Sequence, residues 1–128
     1  VAEVLACGGA ATTLASLAAR ALDASDRPAA TAREADLPGA VGILSRATLE
    51  ALVALLAAQP SAEIATRYDI APARAPLLAP GALALLAALE RLRSDALVVS
   101  RRGIREGAII AYLRAGDGWL RAAAAGQV

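Results

Sequence analysis

Two short apolar runs, each closed by a glycine-bearing turn and followed by a helical pattern, constrain this chain more than anything else in it. The first is Val1 to Cys7 (VAEVLAC), closed by Gly8-Gly9. The second is Ala96 to Ser100 (ALVVS), followed by Arg101-Arg102-Gly103. Apolar runs of this length bounded by turn residues read as buried strands. Strands that each run into a helix argue for parallel pairing in an α/β layer. The expected fold class is therefore α/β, helix-rich, with two parallel strands. Two strands do not make a stable sheet, so partner strands are expected elsewhere.

Between and after the runs, the pattern is helical. Ala11 to Leu22 carries an apolar face at Leu14, Leu17, Ala18 and Ala21. Ser25 to Gly42, with Pro28, Pro38 and two glycines, reads as a loop. Ser45 is placed to cap a helix whose Leu49, Leu52, Val53 and Leu56 form one stripe, ended by Pro60. Ser61 to Tyr68 predicts a short helix. Pro72 and Pro76 suit the start of a longer one that runs to Arg93 and kinks at Pro80-Gly81. Gly103 to Leu113 predicts the last helix, in a domain ending near residue 115, and 116–128 reads as a flexible, frayed tail.

Composition narrows the chemistry. The 128 residues include 37 Ala, and all 13 basic residues are Arg. There is no histidine, and the net charge is +1. That balance gives no electrostatic footprint for nucleic acid or a membrane surface. Tyr68, Tyr112 and Trp119 are too dispersed to stack successive bases. The clean apolar run Pro76 to Leu89 falls short of the ~20 residues a bilayer span needs, so a buried helix is expected. The single cysteine, Cys7, forms no internal disulfide, and in a strand without a histidine partner it reads as a core thiol. These features, with no basic leader before the first strand, point to the cytoplasm.

Two segments could carry chemistry. In Gly8-Gly9-Ala10-Ala11-Thr12-Thr13, glycines let a phosphate approach the backbone, and the first turn of the helix offers N–H groups to an anion. Thr12 and Thr13 add hydroxyl donors. The same pattern also serves simple turning. In Ser100-Arg101-Arg102-Gly103-Ile104-Arg105-Glu106-Gly107, Gly103 and Gly107 make a smooth helix face that another helix can approach. Arg102, Arg105 and Glu106 could meet a phosphate or pair with one another, or could be solvated charges on a capped helix. Glu106 beside Arg105 reads as a capping or ion-pair residue rather than a base.

With these motifs in place, the order GGAATTLA, RAPLLAPGALALLAALE and VSRRGIREGAI resembles the exopolyphosphatase and guanosine pentaphosphate phosphohydrolase family. That family lies within the actin, Hsp70 and sugar-kinase superfold. The resemblance covers about Val1 to Leu113, and GIREG is its most specific part. It implies the C-terminal part of a ribonuclease H-like (actin-like ATPase) domain. In that superfold the first motif corresponds to a glycine-rich ligand loop, and the last helix to one of two helices crossing at an interdomain hinge. The implied ligand-facing residues are Gly8, Gly9, Ala10, Ala11, Thr12, Thr13, Arg74 and Arg105, with Gly103, Glu106 and Gly107 on the hinge helix.

The implied ligand is polyphosphate or guanosine pentaphosphate, hydrolysed with Mg²⁺ held by an N-terminal part absent from this sequence. No catalytic residue and no metal ligand is expected within the 128 residues. Three departures stand out: Ala10 for the usual Thr, Pro76 for the acid of an arginine–x–aspartate motif, and Val41-Gly42 for His-Gly. They leave open a non-catalytic phosphate-binding or regulatory module. Unpaired strand edges and the smooth helix face also predict a homodimer.

Overall fold

The spine of the molecule is its most apolar strand. A computed structural model describes residues 4–22 and 39–127. The start of the first predicted strand (Val1 to Glu3), most of the predicted loop with Pro28 and Pro38, and the acids Asp23, Asp26, Glu34 and Asp36 lie outside these residues. Strands β1 (Leu5–Cys7), β2 (Ala40–Ser45) and β3 (Ala96–Ser100) form one sheet in the order β1-β3-β2. In β3, Leu97 and the β-branched Val98 and Val99 are buried, as apolar residues of a central strand should be.

The two predicted strands do pair in parallel, Cys7 opposite Ser100. The sheet departs from expectation in its third member. β2 pairs antiparallel with β3 and carries a register irregularity between Ala40 and Gly42. Its first half, Ala40 to Gly42, falls in the stretch that reads as a loop from its prolines and glycines. The irregularity at Val41 accommodates that stretch in a strand. β1 also differs from a buried strand: it lies at the sheet edge, and Leu5 is 55% exposed.

Helices α1 (Gly9–Ala21), α2 (Arg46–Ala57), α3 (Ser61–Arg67) and α4 (Leu78–Leu92) surround the core. Leu14 and Leu17 of α1, Leu49 and Leu52 of α2, and Leu78 and Leu89 of α4 meet there with Leu44 and Val99. Ser45 caps α2 by accepting the Thr48 N–H at 3.0 Å. A 3-10 turn at Ala75–Leu77 precedes α4. The α-helix proper therefore starts at Leu78, and Pro80 falls in its first turn, where a missing N–H costs nothing. Taken together, Ala75–Leu92 is long and apolar enough to cross a membrane by length and composition; in this fold Leu78, Ala82 and Leu89 join the core. Gly81 lets α4 approach α1 closely, since a Cβ there would stand 3.3 Å from the Ala10 Cβ.

The last part of the chain forms α5 (Ile104–Ala115), a 3-10 turn at Gly116–Gly118 and α6 (Trp119–Ala124). A frayed tail is expected there, but the alanine run of 122–125 favours helix, with Ala the best helix former. Ala111 is the single buried residue of α5.

Candidate functional site

Because β1 and β3 are adjacent and parallel, the turns leaving their carboxyl ends emerge side by side. Ligands of open α/β sheets bind at this end. The Gly8 turn opens α1 and the Gly103 turn opens α5. The two junctions touch: a Cβ on Gly103 would stand 3.8 Å from the Cys7 Sγ. Cys7 itself is exposed, not a core thiol, because it ends an edge strand where the chain turns away from the sheet.

At the first junction the backbone demands glycine. Gly8 has φ 106 and ψ 166, a region essentially closed to residues with a Cβ. It is the N-cap of α1, and no side chain caps the helix. The first helical bond is Thr12 N–H to Gly8 O at 3.1 Å. The N–H groups of Gly9, Ala10 and Ala11 therefore precede the hydrogen-bonded ladder. With no acidic residue in the first turn, the positive end of the helix dipole is unopposed there.

Arg74 faces this turn from the segment between α3 and α4. Its guanidinium lies over Gly9, where a Cβ would meet its carbon at 3.1 Å. Its Nη1 donates to Thr13 Oγ1 at 3.3 Å. The segment is held by Ile70 N–H to Ala65 O at 2.9 Å, with Asp69 in the left-handed conformation at φ 51. Arg20 ties it to α1, donating to Tyr68 O at 2.6 Å. Between α1 and this segment lies a cavity of about 200 Å³, lined among others by Thr13, Ser16, Arg20, Asp69 and Arg74. Gly8 remains open: a Cβ there would meet nothing within 4 Å.

The threonines act differently from expectation. Thr12 Oγ1 donates to Gly8 O and Gly9 O, each at 3.2 Å, and Thr13 Oγ1 donates to Gly9 O at 2.7 Å. Their protons point back into the helix turn. What Thr13 offers is an acceptor that orients Arg74. Neither this role nor the Arg20 brace is visible in sequence, since both depend on residues about 50 or 60 positions away.

At the second junction the helix start is occupied. Glu106 Oε2 accepts the Gly103 N–H at 2.9 Å, one arm of a capping box. The Gly103 N–H and its own backbone N–H, helped by the Arg105 and Arg102 charges, hold its carboxyl below the usual carboxylate range. Glu106 is a cap, as its spacing from Gly103 suggests. The Arg105 side chain is exposed and makes no hydrogen bond or ion pair among the described residues. Gly107 faces open space. The structure thus brings Gly8 to Thr13 together with Arg74, and sets Gly103 and Glu106 beside them. It does not bring Arg105 or Gly107 to that turn.

No protein-family model matches the chain, and no curated protein does. Solved structures do match. A crystal structure of the type II variant of the Aquifex aeolicus Ppx/GppA phosphatase is 25% identical, with TM-score 0.67, over 87% of this chain and 34% of that one. A structure of the Aquifex aeolicus PPX-GPPA enzyme is 26% identical, with TM-score 0.67 and the same coverage. This chain has the fold of a Ppx/GppA phosphatase segment. A third structure, of the Aquifex aeolicus member of the Ppx/GppA family, is 24% identical and shares the fold with TM-score 0.69 over 90% of this chain and 35% of that one. The chain spans about a third of the length of these Ppx/GppA proteins. The likeness supports an exopolyphosphatase-like family, and the mixed, helix-rich α/β architecture agrees with it.

Proposed function

We propose that the chain is the C-terminal part of an exopolyphosphatase-like phosphoanhydride hydrolase and forms one wall of its ligand cleft. The ligand is polyphosphate or a guanosine pentaphosphate. The observation that carries this reading is the pairing of an uncapped helix start with a guanidinium: the Gly9, Ala10 and Ala11 N–H groups with Arg74 over Gly9. Backbone N–H groups and the dipole at a helix start favour an anion, and a guanidinium fits phosphate oxygens in a bidentate manner. In this role the wall binds and orients phosphate.

Hydrolysis also needs an oriented water, a base and a cation to offset charge on the transferred phosphoryl group. Among the described residues, no three metal-ligating side chains come together. The described residues therefore do not fit a Mg²⁺ site. Glu106, the acid at the second junction, is committed to the Gly103 N–H. Those same two observations favour the second reading, a phosphate-binding module without catalysis. α5 would serve as the hinge helix of the longer protein, and the chain would act in the cytoplasm.

The test is calorimetric titration of the chain with tripolyphosphate, at low and at high salt, alongside a phosphate-release assay with Mg²⁺. Salt-sensitive binding without phosphate release is expected. Absence of binding would sink the ligand-wall reading, and phosphate release by the chain alone would sink the claim that catalysis needs further polypeptide.

A further inference from the structure

The segment that carries Arg74 is tied to α1 at two points. It runs from Tyr68 to Arg74, antiparallel to the helix. Arg20, near the end of α1, donates to the Tyr68 carbonyl at 2.6 Å. Arg74 Nη1 donates to Thr13 Oγ1, near the helix start, at 3.3 Å. Among the described residues these are the hydrogen bonds that join the segment to α1. Thr13 and Arg20 are seven residues apart, so they stand on one face of the helix, about 10 Å from each other along its axis. The cavity of about 200 Å³ lies between the two ties, with Ser16 in its wall.

The two ties differ in kind. The Arg20 bond is short, its donor is charged, and its acceptor is a backbone carbonyl, so it fixes the course of the chain itself. The Arg74 bond is long for an N–H···O contact and joins two side chains. A phosphate at the α1 start draws on the same guanidinium, so this weaker tie is the one given up on binding. The hold on the segment then passes to Arg20. Tyr68 and Ile70 pack against the core and keep the segment on the molecule, but they lie at the end away from Arg74. Asp69 follows Tyr68 at once, with φ 51, a left-handed conformation that costs a residue with a Cβ. A chain released at the Tyr68 carbonyl relaxes there and carries Arg74 off Gly9. Arg20 has no other hydrogen bond and no ion pair among the described residues. We propose that Arg20 is a positioning residue: it holds the Tyr68 carbonyl and thereby keeps the Arg74 guanidinium over Gly9 while that guanidinium engages phosphate. This role rests on the reading of the α1 start as a phosphate wall.

The experiment titrates the 128-residue chain with tripolyphosphate in a cycle of Arg20→Ala, Arg74→Ala and the double variant. Affinity is read from the amide resonances of Gly9, Ala10 and Ala11. Arg20→Ala should weaken binding about fivefold in the parent, yet change it less than about twofold once Arg74 is alanine, since no guanidinium is left to position. Arg20→Lys, which keeps a charged donor for the carbonyl, should lose less than Arg20→Ala. Arg20→Met, of similar length but without a donor, takes the place of Arg20→Ala should that variant not fold, with the same expectation. Losses of equal size in both backgrounds would show Arg20 acting on phosphate through its own charge and would overturn the proposal. A parent that binds while Arg20→Ala and Arg20→Met lose nothing overturns the positioning role alone. A parent that does not bind overturns the phosphate wall and this role with it.

Discussion

The two strand-to-helix junctions are built from the same parts and finished in opposite ways. Each places a helix start at the carboxyl end of a parallel strand, one after Cys7 and one after Ser100. At α5 the positive helix end is met by the protein's own carboxylate, Glu106. At α1 no side chain caps the helix, no acid lies in the first turn, and an arginine adds positive charge over Gly9. A helix start that carries its own anion has little left to offer a ligand. One left open beside a guanidinium is a place for a ligand's anion. On the proposed function, phosphate binding falls to α1 and structural closure to α5.

Arg74→Ala should have the largest effect on that division. Charge-assisted hydrogen bonds are worth about 1.5–3 kcal/mol, so tripolyphosphate affinity should fall at least about tenfold. Calorimetry reads this directly, and unchanged affinity would remove the guanidinium from the site. Gly8→Ala forces a Cβ into the region at φ 106 and should lower stability by about 1–3 kcal/mol, read as a drop in Tm. A Tm equal to that of the parent would show that the turn relaxes and that its geometry is not demanded.

The smallest effect belongs to the capped junction. The carboxyl of Glu106 titrates below its unfolded range, so its contribution to stability is present above about pH 4.3 and fades as pH falls through the depressed folded value. Glu106→Gln should flatten the dependence of Tm on pH in that acid window. A profile unchanged from the parent would show that the cap adds no stability.

Much of this fold was legible because its signals are local. The β1 and β3 runs, the Ser45 cap and the Leu49, Leu52, Leu56 stripe each follow from neighbours within a few residues. β2 was hidden because Gly39 and Gly42 look like loop residues; Gly39 is a turn residue, and only the antiparallel pairing to Val99 shows Gly42 in a strand. The exposure of Cys7 and Leu5 depends on β1 being an edge, which a short apolar run does not reveal. In the candidate site, the open glycine turn could be read from the order of residues. The inward hydroxyls of Thr12 and Thr13 could not, since helix threonines choose between a ligand and the preceding carbonyls only once the turn is built. The contact between Arg74 and Thr13 joins residues 61 apart, and only the packing of α4 on α1 through Gly81 brings them together.

The most direct test is a tripolyphosphate titration of the ¹⁵N-labelled chain, following amide resonances at both helix starts. The account predicts large, saturable shifts for Gly9, Ala10 and Ala11, with Gly103, Ile104 and Arg105 nearly still. Shifts centred on the α5 amides instead, or the same small drift at both, would contradict it.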